Sequence, residues 1–401
     1  MKIACVGAGP AGLYFAIMMK LRDAENDITI FERNPSGTTH GWGVVFWDDL
    51  LNSLNSNDPQ SAREIVEHSF YWTGQVVDVK GKQRVHNEGG GYGICRRQLM
   101  AILTKRATEL GVRIQFEREI ADINQLPHAD LIVAAEGVGS QLRQRHADQF
   151  KMQVNVGRNK YVWLGTTQVF AAFTFGFVPT KAGWIWFHAY AYKKDMSTFI
   201  VECAPETWER LGFDTMNASD SLRLLEKLFE QHLDGHQLMT NTSKGNKLPW
   251  LSFRTLVNGT WHIDNIVLIG DAAHTTHFAI GSGTRLAIED AIALTNAVGD
   301  QQDVHAALKV YEIERQRALT YPGREARLSA QWFESLPRYI SFDAPEFFTL
   351  LLNRRSRLMP HLPPRLYYKL HTTLLRHPVL RGLCRWAAPI LGSLYRLRLQ
   401  P

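Results

Sequence analysis

Apolar residues follow two rhythms along this chain, and the change from one to the other divides it. Residues 3–6 form a short unbroken apolar run that stops at Gly7, the pattern of a strand covered on both faces. Residues 13–21 are apolar almost throughout and predict a buried helix, and 28–31 predict a second strand closing on Glu32. After a loop punctuated by Gly37, Gly41 and Gly43, the polar segment 48–67 reads as helical. Residues 97–110 place apolar side chains at helical spacing and end at Gly111, followed by strands at 112–116 and 131–134. From about 157 to 257 the texture becomes β-rich. The runs 161–170, 172–177, 184–192 and 197–203 are full of aromatic and β-branched residues with turn signals between them, and predict an antiparallel sheet. A helix at 219–232 follows, and then the alternation returns, with a strand at 266–269, a helix at 283–298 and helical segments to about 335.

The predicted fold is α/β: a parallel sheet built by a discontinuous domain, 1–156 and 259–335, with a β-rich substrate domain at 157–258 inserted and a helical tail at 336–401. Composition changes this picture at one end. The chain has 401 residues and a net charge of +6, but residues 347–401 hold ten of its 45 Lys and Arg and no acid. The remainder holds 35 basic against 39 acidic residues, so a slightly acidic body carries a basic tail. At 45% hydrophobic residues, global disorder and low-complexity architectures are excluded. Four cysteines without paired spacing argue against a disulfide framework or a zinc ribbon, and no metal site is expected; a reducing, cytoplasmic location follows. The chain opens directly on a strand, so no signal segment is expected. The uncharged stretch 161–180 contains glycines and polar residues and reads as paired strands rather than a membrane span.

Two motifs carry the chemistry. Gly7-x-Gly9-x-x-Gly12 follows a strand and opens a helix: Gly7 permits the turn, Gly9 admits a pyrophosphate to the backbone, and Gly12 allows close helix–strand packing. Glu32 lies 20 residues beyond Gly12, where a carboxylate reaches ribose hydroxyls. Ala11 and Arg33 belong to the same Rossmann-like site. This fingerprint alone does not separate NAD from FAD. The second motif is Gly270-Asp271, after the strand at 266–269, continuing to Gly281, Gly283 and Thr284 before a helix. A flavin needs such a segment: its polyol wants a carboxylate, and its ring benefits from helix N-terminal donors where charge develops on reduction.

On these motifs, together with Arg96-x-x-Leu99-x-x-x-Leu103, the chain resembles the class A flavoprotein aromatic hydroxylases, with the para-hydroxybenzoate hydroxylase fold. The resemblance assigns Arg96 to a helix start beside the FAD pyrophosphate, and Glu136-Gly137 stands where the family has Asp-Gly. Within the family it is most similar to the salicylyl-CoA and anthraniloyl-CoA hydroxylases and to the violacein-pathway tryptophan hydroxylase. That likeness rests on residues 41–46 (including Gly43 and Val44), 157–166, 188–190 and 197–203, and on His277-Phe278 where most members have Pro-Pro. It spans about residues 1–335. The resemblance implies an FAD-dependent monooxygenase, reduced by transiently bound NAD(P)H, that uses O2 and a flavin C4a-hydroperoxide to hydroxylate or epoxidise an electron-rich aromatic ring. A lipophilic quinolone or quinol, an indole and an aryl-CoA are the substrate classes it suggests. Alternatives are an FAD-dependent halogenase, prompted by Trp184-x-Trp186, and a non-catalytic FAD-binding accessory protein.

His277, His188 and Tyr190 are the candidate catalytic residues, since a phenol or amine substrate benefits from a base near its heteroatom; His274 is assigned to the turn. Trp163, Phe175, Trp184, Trp186, Phe187, Tyr190 and Phe199 are expected to roof a substrate cavity, with half or more of them as plain core. The basic tail, residues 354–398, has three readings: a peripheral contact with an anionic membrane surface, helices packed on the body, or recognition of a phosphorylated substrate. No nucleic-acid motif accompanies it.

Overall fold

A computed structural model describes residues 1–39, 41–79, 83–241 and 246–376. The chain divides into two compact units, Met1–Ala330 and Gln331–Pro401. The first is built on two sheets. Strands β1 (Lys2–Val6) and β2 (Asp27–Phe31) flank helix α1 (Pro10–Arg22) in sequence. Next come β3 (Gly43–Phe46), α2 (Asp48–Asn57), α3 (Pro59–Glu67), β4 (Ser69–Val79), β5 (Gln83–Cys95), α4 (Arg96–Glu109), β6 (Arg113–Gln115), β7 (Leu131–Ala134) and α5 (Gln141–Arg145). The β-rich region holds β8 (Met152–Thr166), β9 (Phe173–Thr180), β10 (Gly183–Lys193), β11 (Met196–Cys203), α6 (Pro205–Arg210), α7 (Ala218–Leu228), α8 (Glu230–Leu233), β12 (Leu238–Met239) and β13 (Leu251–Asn258). Strands β14 (His262–Ile263) and β15 (Ile266–Leu268) precede α9 (Gly283–Asp300) and α10 (Val304–Glu334). In the second unit lie α11 (Ala344–Leu352) and α12 (Pro364–Arg376).

The first sheet runs β14-β15-β7-β1-β2-β6, parallel throughout except for the β14 edge. Its inner strands β1, β2, β7 and β15 are apolar because both faces are covered. α1 has no polar stripe for the same reason: Ala11 through Met19 are all buried, between α9 and α4. The second sheet runs β12-β8-β11-β10-β9-β4-β5-β3, with β13 also paired to β8. It therefore begins well before residue 157, because β4 pairs in parallel with β9, from Gln75↔Phe173 to Val79↔Phe177. Residues 43–95 thus supply three strands to the sheet that the sequence pattern places in 157–258.

Alternation along the strands sorts the aromatics onto two faces. Trp186, His188 and Tyr190 of β10 share one face with Phe175 and Phe177 of β9 and Ile200 and Glu202 of β11. Phe187 and Phe199 lie on the other face, stacked at 4.3 Å and packed against Phe229. These two are plain core against Phe229, within the expectation that half or more of the seven aromatics are core.

The last turn of α4, the helix that opens with Arg96, is held in place from the junction of α2 and α3. Asp58 caps the junction of α2 and α3, is 1% exposed, and accepts from Ser61 Oγ at 2.5 Å and from Arg106 of α4 at 3.2 and 3.3 Å. Removing one partner of a buried pair strands the other charge. Asp58→Ala is expected to lower unfolding stability in urea by about 3–5 kcal/mol, and an unchanged midpoint would refute this role.

Candidate active site

A cleft of about 560 Å³ opens where β1, β2 and β7 end. Eleven of the expected cofactor residues line it: Gly7, Gly9, Ala11, Glu32, Arg33, Arg96, Glu136, Gly137, Asp271, Gly283 and Thr284. Gly12, Gly43, Val44 and Gly281 do not. The glycines divide by what a side chain would meet. Gly7 has φ +106°, and a Cβ there would lie 2.5 Å from the Ala135 carbonyl oxygen. At Gly12 a Cβ would lie 2.2 Å from the Gly7 carbonyl oxygen. These two serve backbone packing. At Gly9 the nearest atom would be 3.9 Å away, and at Gly283 nothing lies within 4 Å, so these two leave room on the cleft side.

Two helices point their N-termini into this space. α1 begins after Gly9 and α9 after Ser282, and neither has a side-chain cap, so first-turn N–H groups face the cleft. Open glycines, free amides at two helix starts and a cationic Arg96 fit a dinucleotide with an anionic pyrophosphate. Glu32 is fixed at the rim by the amide of Ala8 (2.9 Å) and by the amide and side chain of Asn34 (2.8 and 2.7 Å). The Glu136 carboxylate is taken up by Ser140 and the Gln141 amide (2.9 Å), capping α5. Burial pushes its pKa up against those hydrogen bonds.

Arg96 joins the two halves of the site. Its amide donates to the Trp42 carbonyl (2.8 Å) and its Nε to Thr39 Oγ1 (3.2 Å). Burial draws the guanidinium pKa down, and the nearby Asp271 and Tyr190 oppose that shift. Asp271 is pushed up by burial and by Asp290, with His274 and Arg96 pulling the other way. The turn that carries Asp271 rests on Asp290 of α9, which has no solvent exposure. Asp290 accepts from the Gly270 amide (2.9 Å), His274 Nε2 (2.8 Å) and Arg315 Nε (2.7 Å). Burial raises its pKa, but the charges and hydrogen bonds of His274 and Arg315 outweigh it and hold the carboxyl below the ordinary range. Asn258 and Arg143 complete the support, donating to the carbonyls of Ala273 (2.6 Å) and Ala272 (3.1 Å).

The three candidate catalytic residues are not brought together as one group. His188 and His277 flank the Phe278 ring, at 5.8 and 4.3 Å between centroids. Around them stand Phe175, Phe253 and Tyr161. His277 Nδ1 also accepts the Ala279 amide (3.2 Å), closing a single 3₁₀ turn that ends at Gly281 against Trp47 and Val45. Tyr190 stands apart: its hydroxyl donates to the Gly43 carbonyl (2.9 Å), while the Gly43 amide donates to Thr198 (2.9 Å). The Trp186 indole donates to Glu202 (3.2 Å), so half of the Trp-x-Trp pattern serves the sheet. Sequence reasoning missed Asp290, Arg315, Asn258 and Phe253. Only Asp290 gave a signal, as an acid inside the apolar run of α9.

A glycine cradle, a second uncapped helix and an acid-bearing turn beside an aromatic sheet face define an FAD-dependent oxidoreductase. Comparison with known proteins narrows the class. Residues 126–320 match the FAD binding domain family. The chain is 36% identical over 366 residues to a salicyloyl-CoA 5-hydroxylase of Streptomyces, covering 89% of this chain and 70% of that one. It is 34% identical to the 3-hydroxy-4-methyl-anthranilyl-[aryl-carrier protein] 5-monooxygenase of Streptosporangium sibiricum, covering 84% and 90%. It is also 34% identical to the protodeoxyviolaceinate monooxygenase of Chromobacterium violaceum, covering 94% and 100%. The fold matches 2-methyl-3-hydroxypyridine-5-carboxylic acid oxygenase with a TM-score of 0.70 at 18% identity, over 92% of this chain and 95% of that one. The chain belongs to the flavoprotein aromatic hydroxylases. It is a monooxygenase with FAD as cofactor and NAD(P)H as the family's co-substrate, and the halogenase and accessory-protein readings are set aside. No helix among the described residues is long and apolar enough to cross a membrane.

Two variants separate packing from ligand space. Gly12→Ala drives a Cβ into backbone and is expected to abolish soluble folded protein. Gly9→Ala is expected to keep the apoprotein's melting temperature and weaken FAD binding, read by flavin fluorescence; equal melting losses in both would contradict the division. Asp290 supplies a pH test. Its depressed pKa contributes stability that is present above the unfolded carboxyl value of about 3.9 and is lost as pH falls through the folded value. Asp290→Asn is expected to lower neutral-pH stability and flatten the acid limb of the stability–pH curve.

Proposed function

We propose that the cleft holds the FAD pyrophosphate at the first-turn amides of α1 and the Gly9 backbone, with Arg96 offsetting its charge. Glu32 accepts from the ribose hydroxyls, and Asp271 from the polyol. The amides of Gly283 and Thr284 face the end of the cofactor where negative charge grows on reduction, and Gly43 and Val44 flank it, with Tyr190 fixing Gly43 in place. Bound FAD supplies the chemistry that accepts a hydride from NAD(P)H and activates O2. The chain's own contribution is to seat an electron-rich aromatic ring, exclude water and manage one proton at the ring's hydroxyl or amino substituent.

The observation that carries this reading is the pair His188 and His277 on either side of Phe278, set in an aromatic cluster on the sheet face that also bears Tyr190. Both histidines are buried, at 2% and 8% exposure, so a proton held there is exchanged with substrate more readily than with bulk water. The named substrates of the relatives suggest an aryl thioester, on CoA or a carrier protein, or an indole-derived acid. A lipophilic quinolone would instead reach the site from an anionic membrane, with residues 354–398 holding the enzyme peripherally in the cytoplasm; of these, 377–398 lie outside the described residues.

The test is NAD(P)H oxidation and O2 uptake with salicyloyl- and anthraniloyl-CoA, the free acids, indole carboxylates and 2-alkylquinolones, with products read by mass spectrometry. One of these is expected to stimulate oxidation and gain one oxygen atom; products without added oxygen would overturn the reading. His277→Ala and His188→Ala are expected to retain FAD, cut product formation by about 10²-fold or more, and divert NAD(P)H oxidation into H2O2. Full coupling in both variants would remove the histidines from the reaction.

A further inference from the structure

Helix α12 shows two faces. Tyr367 is 7% exposed and stacks on His371, with Tyr368 half-buried, so one side packs within its own compact unit. On the other, Leu366, Leu370 and Leu374 succeed one another at four-residue spacing and are 46%, 46% and 38% exposed. Arg365 and Lys369, also exposed, each precede one of these leucines, which places both cations along one edge of the same face. Leu358, in the turn before the helix, is 63% exposed. A helix that has already buried its aromatic side gains nothing in folding from an exposed leucine stripe, so the stripe, which no other described residue covers, marks an interaction surface.

Charge decides between the occupants. A second copy would set this face against itself, bringing Arg365 and Lys369 of each chain together within a segment, 347–401, that carries ten cations and no acid to offset them. An anionic bilayer satisfies both halves of the pattern: leucine side chains enter the acyl boundary, and the flanking cations meet headgroup phosphates with their stems lying along the apolar surface. We propose that the Leu366–Leu370–Leu374 face of α12 lies flat on an anionic lipid surface, with Arg365 and Lys369 at headgroup level. This specifies the membrane reading of residues 354–398 and rests on it; it is independent of which aromatic compound is hydroxylated.

The test uses full-length, FAD-loaded protein with vesicles of phosphatidylglycerol and phosphatidylcholine, and with phosphatidylcholine alone. Sedimentation is expected with the anionic vesicles only, weakening as salt rises. Changing Leu366, Leu370 and Leu374 together to Gln is expected to weaken binding by at least about tenfold, and Arg365→Gln with Lys369→Gln to reduce it and its salt dependence. Because the three leucines are exposed, the leucine variant should match the parent in melting temperature and flavin content; Arg365 also lies over the Phe342 ring at 5.9 Å, so its variant is compared at matched folded fraction. No sedimentation in the parent overturns both the stripe and the membrane reading. Undiminished binding by the leucine variant overturns the stripe alone and leaves the contact to other tail residues. A parent dimer in light scattering that becomes monomeric in the leucine variant assigns the face to a second copy and also overturns the proposal.

Discussion

The architecture of the active site depends on one buried charge. Asp290 sits on the buried, apolar face of α9 with no contact to solvent, where an unpaired carboxylate would be prohibitive. It is tolerated because three donors converge on it from two segments: the Gly270 amide and the His274 ring of one turn, and the Arg315 guanidinium of α10. Satisfying Asp290 therefore fixes the turn, both helices and the direction in which Asp271 projects. The His274 ring lies flat on Trp261, and Glu289 reaches Arg315 from the helix surface. A buried polar network of this kind behaves as a unit, since loss of any of these donors leaves Asp290 with fewer partners than its burial requires.

What could be read from the sequence was what short-range backbone geometry demands. Gly7 and Gly12 were legible because no other residue fits where the backbone of β7 and of the turn itself approaches so closely. The strands of the first sheet were legible because apolar runs covered on both faces leave few alternatives. Pairing was harder: β4 and β9 are separated by nearly a hundred residues, and neither announces its partner. The separation of Phe187 from Trp186 and Tyr190 has a simpler reason. Adjacent strand residues point to opposite faces, so the alternation in that stretch already separates Phe187 from the site. Asp290 was visible as an anomaly, but its three partners are tertiary.

The division between the two faces of the second sheet has a chemical meaning. One side is mainly hydrocarbon, with Phe187, Phe199 and Phe229 packed ring to ring and His232 at their edge beside Asp78. The other mixes rings with groups that can hold a proton or accept a hydrogen bond, including His188, Tyr190 and Glu202. A single sheet thus provides a rigid floor on one side and a polar-tipped aromatic surface on the other; His188 and Tyr190 stand on a strand of it, whereas His277 stands in the turn before Gly281.

The parallel register of β4 on β9 also governs how the polypeptide can be made. When the ribosome has released residues 1–100, β4 has β5 on one side and an open edge on the other, since β9 begins only at Phe173. The first sheet likewise lacks β15 until residue 266 has emerged. Neither sheet can close during early synthesis. The nascent chain carries open strand edges until β15 is complete at Leu268, about two thirds of the way along its length, and edges exposed for that long are open to pairing with other chains.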